Sequence, residues 1–215
     1  MSLSFTNNPM FNDYLGYGTD RNALQKALKI GEGYHNDSDY GNAIKHFDYV
    51  IINDLHSEFL FAYILKALSY YGMNEYKSSI SVCDGGIKIA ERKYESNEEV
   101  SKELAILYEV RSRSFIELED KSNAKKDLRK SIEYFPTDSH GRLANLLFEE
   151  KDFSEAVKYY QNMAMMFPDN GRNRFLMGCC YMFMNNKEEA KKQFALSNNQ
   201  GYEKAYEYLI KLTYG

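Results

Sequence analysis

Residues 144–194 read ANLLFEEKDFSEAVKYYQNMAMMFPDNGRNRFLMGCCYMFMNNKEEAKKQF, and they contain one pattern twice. Ala144, Leu147 and Ala156 recur 34 residues on as Gly178, Tyr181 and Ala190, and Tyr160 recurs as Phe194. Working outward, the same order appears at Gly31/Tyr34/Ala43, Ala67/Tyr70/Ser79 and Ser112/Phe115/Ala124: a small residue, a large apolar one three later, and a second small residue twelve after the first. Four residues beyond the second small one stand Phe47, Cys83 and Leu128 in these copies. A small residue lets two helices approach closely, and a bulky one a turn later fills the space between neighbouring pairs. Repetition at this period means stacked helical hairpins, none of which buries its apolar face alone.

Punctuation follows the same period. Tyr40, Tyr76 and Phe153 stand six residues after the large apolar residue, where the chain turns into a second helix. Pro136 and Pro168 fall twelve after Ala124 and Ala156, where that second helix must end. With these residues in place the chain resembles the tetratricopeptide repeat family over about residues 21–201. It departs from the family at Lys121 and Lys187, which replace the turn aromatic, at Leu55, Glu91 and Tyr202, which replace the proline, and in having no Trp. The resemblance implies an all-α fold: a right-handed superhelical solenoid of about five antiparallel helix hairpins with a C-terminal capping helix.

The expected organisation is an N-terminal tail, residues 1–19, and a single repeat domain, residues 20–215. Hairpins are expected at about 21–55, 58–94, 98–135, 137–168 and 171–200, with a capping helix at 202–214 that presents Ala205, Leu209 and Leu212 on one face. Asp20 offers an N-cap for the first helix. Between Ser79 and Ala124 the period stretches to 45 residues by a charged insertion, RKYESNEEVSKEL, containing the capping box Ser96 to Glu99. Two helices should lengthen there. The tail is polar but carries Phe5, Met10, Phe11, Tyr14 and Leu15, so it is expected to pack on an apolar surface, as an N-terminal cap or as an occupant of the groove.

The formal net charge of −4 argues against nucleic acid and anionic membrane, which call for a basic stripe. Lys125, Lys126, Arg129 and Lys130 are the densest basic cluster, read as a solvated face beside Ala124 and Leu128. No apolar run approaches the roughly 20 residues of a membrane span, and three cysteines in a chain of this length make no disulfide framework. The expected setting is cytoplasmic, with free thiols.

Chemistry-bearing motifs are sparse. His35, His46, His56 and His140 have no metal-motif spacing and read as surface or groove residues. There is no phosphate loop, nucleophile elbow or Cys–His pair; Gly85-Gly86 lies in a helical pattern, where Gly86 takes a packing position and Gly85 has no legible role. No catalytic residue, cofactor or metal is expected, and the chain reads as a non-enzyme.

What the resemblance leaves is a concave groove lined by the first helix of each hairpin. It would present Glu32 and His35 beside Leu28, then Phe61, Ile64, Leu68 and Tyr71, then Glu109, Arg113 and Ile116. Asn145 and Phe148, then Phe175 and Met182, would continue it. The family's lysine-and-asparagine clamp for a chaperone C-terminus is rejected, because Leu28 and Glu32 stand where its first Lys and Asn would be. Aromatics with Glu109, Arg113 and Glu117 suit a peptide or protein segment with apolar anchors and some positive charge, although Arg113 between two glutamates fits an internally neutralised pair equally. The function expected is a protein interaction scaffold or adaptor. The alternatives are a self-assembling homo-oligomer and a regulatory subunit that sequesters an enzyme or transcription factor.

Overall fold

The computed structural model describes residues 20–54, 56, 58–93 and 98–214; the tail, Leu55 and Ser96 lie outside the described residues. Among those described, the chain forms eleven α-helices and no strand. It divides into two compact units, residues 1–120 and 121–215, a division that falls inside the expected third hairpin.

The first unit holds α1 (Arg21–Asn36), α2 (Tyr40–Asn53), α3 (Leu60–Gly72), α4 (Tyr76–Ala90) and α5 (Glu98–Glu117). Helices α1 and α2 pair, α3 and α4 pair, and α3 packs against both α1 and α5. Asp20 caps α1 as its spacing predicts, its carboxylate accepting from the Ala23 amide at 2.8 Å. Leu24, Ala27, Tyr49, Val50 and Ala62 form one core cluster, and Ala43, Phe47 and Leu65 another. The charged insertion lengthens one helix instead of two: α5 runs 20 residues, whereas α4 at 15 barely exceeds α2 at 14.

The second unit holds α6 (Lys121–Tyr134), α7 (Ser139–Glu149), α8 (Phe153–Met166), α9 (Gly171–Phe183), α10 (Lys187–Asn199) and α11 (Lys204–Tyr214). Consecutive helices pack throughout it. Helices α6 and α8 end two residues before Pro136 and Pro168 respectively, as expected. Helix α11 lays Leu209 and Leu212 on the cluster of Phe175, Cys179, Ala190, Phe194 and Ala205, so it is the terminal cap that its pattern predicts. The basic cluster is internally paired at three places, Lys125 to Glu150 at 2.5 Å, Arg129 to Glu155 at 3.1 Å and Lys130 to Glu133 at 3.0 Å. Such pairs turn a basic run into an ordinary charged surface.

A feature absent from the sequence reading repeats in all five hairpin turns. Ser38, Asn74, Glu119, Lys151 and Asn185, each seven residues after the first small residue, have φ between 58° and 66°. In each turn the next residue's amide donates back to the carbonyl of the large apolar residue, from Asp39 to Tyr34, Glu75 to Tyr70, Asp120 to Phe115, Asp152 to Leu147 and Asn186 to Tyr181, at 2.8–2.9 Å. This bond satisfies a helix-end carbonyl that would otherwise lack a partner. Asp39, Asp152 and Asn186 then cap the second helix through their side chains. A side chain bearing Cβ pays about 1 kcal/mol for a left-handed backbone, which glycine does not. Lys151→Gly is therefore expected to raise stability by about 0.5–1 kcal/mol in a urea titration, and Asn185→Gly by less, because asparagine tolerates this conformation.

Helix α5 also carries a pH-sensitive group. Burial, with Glu99 one turn earlier, raises the Glu103 carboxyl from 4.5 to about 7. Below the unfolded value both states hold the proton and the group is neutral to stability. Between that value and the folded one the unfolded chain releases its proton while the folded chain keeps it, so stability falls as pH rises through this window. Glu103→Gln should leave stability at pH 4 unchanged and raise it at pH 8 by on the order of 1 kcal/mol, read from melts at the two pH values.

Candidate protein-binding surfaces

In the first unit, the first helices α1, α3 and α5 lie side by side, and two polar contacts fix their register. His35 Nδ1 lies 2.8 Å from Ser69 Oγ, joining α1 to α3. Ser69 donates its own hydrogen to the Leu65 carbonyl, so it accepts from His35. Burial lowers the His35 pKa, leaving the imidazole neutral near pH 7. Between α3 and α5, the Tyr71 hydroxyl donates to Glu117 at 2.8 Å and the Arg113 guanidinium lies 4.7 Å from the centre of the Tyr71 ring. Desolvation, and then the bond to Glu117, raises the Tyr71 pKa and keeps the phenol protonated. Arg113 is thus held on an aromatic face, with Glu117 bonded to the same tyrosine.

Glu32, His35, Leu68, Tyr71, Glu109, Arg113 and Ile116 are all half-buried, and Phe61 is exposed at 38%. Ile64 is not at the surface. It is 2% exposed, because α3 is covered on one side by α1 and on the other by α5. The remaining stripe, Phe61, Leu68 and Tyr71, is apolar, with the Glu117 carboxylate bonded at its Tyr71 end.

In the second unit the corresponding face is aromatic. Phe183 is 58% exposed; it stacks on Phe153 at 4.9 Å and meets Phe148 edge-on at 5.7 Å. Phe148 and Phe153 also meet edge-on at 5.3 Å, so α7, α8 and α9 each contribute one ring. Asn145 is exposed and accepts from the Tyr160 hydroxyl at 2.8 Å, and Met182 is half-buried. Phe175 is 5% exposed and belongs to the core, since Tyr208 of α11 closes on it edge-on at 5.2 Å, with Phe194 and Tyr202 on its other sides. A position open in mid-array is thereby covered at the end. Phe153 is the ring that spacing alone assigned to turn packing and that the structure places against the exposed Phe183.

Of the remaining candidates for chemistry, His56 is exposed, as expected, and the others sit inside. His46 is 3% exposed and stacks on Tyr34, and His140 is 6% exposed with Nδ1 3.3 Å from the Thr137 carbonyl, so neither is the surface or groove residue its spacing suggested. All three cysteines are buried, and burial pushes Cys179 up to about 11 and Cys180 up to about 12, which disfavours the reactive thiolate. Gly85 has a role after all: a Cβ there would come 3.3 Å from the Tyr63 ring, while one at Gly86 would meet Leu107 and Tyr63 at 3.0 Å. Among the described residues no group of three His, Cys, Asp or Glu could hold a metal ion, and no helix is long and apolar enough to cross a membrane.

Tetratricopeptide repeat family profiles match residues 105–138 and 147–211. No curated protein matches the sequence. Among solved structures, MamA protein is similar with a TM-score of 0.67 at 16% identity, over 85% of this chain and 94% of that one. YrrB, described as a TPR protein with an unusual peptide-binding site, gives 0.63 at 14% identity over 90% and 92%. The TPR2AB domain of yeast Sti1, in complex with pHSP90, gives 0.52 at 16% identity over 90% and 84%.

Proposed function

We propose that this chain, a tetratricopeptide-repeat protein, is a protein interaction scaffold which binds peptide or protein segments on the first-helix faces of its repeats, with Phe153 of second helix α8 joining that face in the second unit. The observation that carries the reading is the exposed ring cluster of Phe148, Phe153 and Phe183 in the second unit, where 58% of Phe183 faces solvent. Exposed aromatics beside half-buried apolar residues are the composition of binding hot spots. In the first unit, Phe61, Leu68 and Tyr71 offer apolar contact, and Glu32, Glu109 and Glu117 outnumber the single Arg113. That surface suits a segment with apolar anchors and positive charge. YrrB and the Sti1 domain support peptide binding as a use of this fold, by their descriptions.

Selecting from a displayed random-peptide library on the purified protein tests this. Peptides with spaced apolar anchors should be enriched, and Phe183→Ala should weaken the selected peptides that contact the second unit. No enrichment, or enrichment indifferent to both Phe183→Ala and Tyr71→Ala, overturns the reading. The homo-oligomer alternative is separated by light scattering: a mass that rises with concentration and falls on Phe183→Ala favours it.

A further inference from the structure

On the other side of α9 from these rings, a cavity of about 330 Å³ opens between α8, α9 and α10. Two of its lining residues each carry a polar atom buried from solvent with no hydrogen-bond partner among the described residues. These atoms are the Nε–H of Arg174 on α9, a donor, and the Oε1 of Gln193 on α10, an acceptor. Gln193 is 6% exposed. A buried donor and acceptor left unpaired each cost free energy, and native interiors pair nearly all such groups. The rest of the lining is mixed: Gln161 is polar, while Ala164, Met165, Met177 and Leu196 are apolar, Met177 buried and Met165 and Leu196 exposed at 65% and 37%. The other charged lining groups, Glu189 and Lys192, are 3.4 Å apart and pair with each other. No ion pair to Arg174 is found among the described residues.

We propose that this cavity binds a carboxylate with an amide N–H on the adjoining carbon, the chemistry shared by an N-acyl amino acid and the C-terminal residue of a peptide. The carboxylate pairs with the Arg174 guanidinium, whose planar donors match two oxygens. The amide N–H donates to Gln193 Oε1, and an apolar side chain lies along Met165, Met177 and Leu196. One ligand thereby satisfies both orphan groups and covers the exposed methionine and leucine. The cavity shares no residue with the surfaces proposed above, so each stands or falls alone.

The test uses the full chain, isotope-labelled, titrated to millimolar concentration with three probes: N-acetylleucine, N-acetylleucine amide and acetate. N-acetylleucine should give saturable amide chemical-shift changes centred on residues 174, 193 and 196, with binding at least tenfold weaker for the other two. Gln193→Glu sets a carboxylate beside Arg174 and should abolish the response while the rest of the spectrum stays that of the parent. Arg174→Gln should do the same. An N-acetylated pentapeptide ending in leucine separates the sources: tighter binding than N-acetylleucine identifies a chain end as the ligand, and exclusion of the peptide identifies the free acyl amino acid. No response, an equal response to the amide, or a response that survives Gln193→Glu overturns the proposal and leaves the two groups satisfied by water.

Discussion

Replacing Gly178 by leucine is expected to cost about 3 kcal/mol of folding stability, with Phe194→Ala in the same chain restoring part of it. A single Cβ at Gly178 would stand 2.6 Å from Phe194 Cε1 and 2.7 Å from Cδ1, well inside van der Waals contact. The ring cannot retreat. Phe194 is fully buried, and Phe175 and Tyr208 hold it at 5.5 Å and 5.3 Å between ring centres. Gly31 is the same position in the first unit, where the Cβ would come 2.6 Å from Phe47 and 3.1 Å from His46. Gly33, two residues on, meets nothing within 4 Å, so Gly33→Ala should instead stabilise α1 by about 0.5–1 kcal/mol. Chemical unfolding decides the signs, and hydrogen exchange should show the Gly178→Leu loss concentrated in α9, α10 and α11, since repeats interact with their neighbours. A Gly178→Leu protein as stable as its parent would refute the close approach of α9 and α10.

Tyr71→Ala should weaken binding of a peptide selected on the first unit by about 2 kcal/mol, roughly thirtyfold. The ring is the shared element of that surface. It carries Arg113 on its face, donates to Glu117 and meets Tyr76 at 5.5 Å, so its loss releases a cation and a carboxylate together. Tyr71→Phe keeps the ring and the cation contact but loses the bond to Glu117, and should cost about 1 kcal/mol. Calorimetry on both variants, with circular dichroism showing the helices intact, distinguishes the two contributions. Unchanged affinity in both would remove this face from the binding surface.

The recurring pattern of small and bulky residues determined the hairpins, because what makes them is local and repeated. Gly31, Gly178 and their counterparts are small where two helices meet, Asp20 caps α1, and Pro136 and Pro168 follow the helices they delimit. Each signal acts within a few residues of itself and is legible without knowing what lies across the interface. The apolar stripes were legible too, since Phe61, Leu68, Tyr71 and Phe148 share the apolar spacing that a binding surface and a core both require. That shared requirement is where legibility ended. Only neighbours decided that Ile64 is covered by α1 and α5, that Phe175 is closed over by Tyr208 of α11, and that His46 and His140 go inside. Gly85 likewise has its reason in Tyr63, a residue 22 positions away. The left-handed turns at Glu119 and Lys151 escaped because neither residue favours that backbone. There the return bond to Phe115 or Leu147, five residues before the donor and in the last turn of the preceding helix, overrides the residue's own preference. The orphan pair Arg174 and Gln193 is the extreme case: each is ordinary in its own helix, and only the packing of α8, α9 and α10 seals both against one cavity.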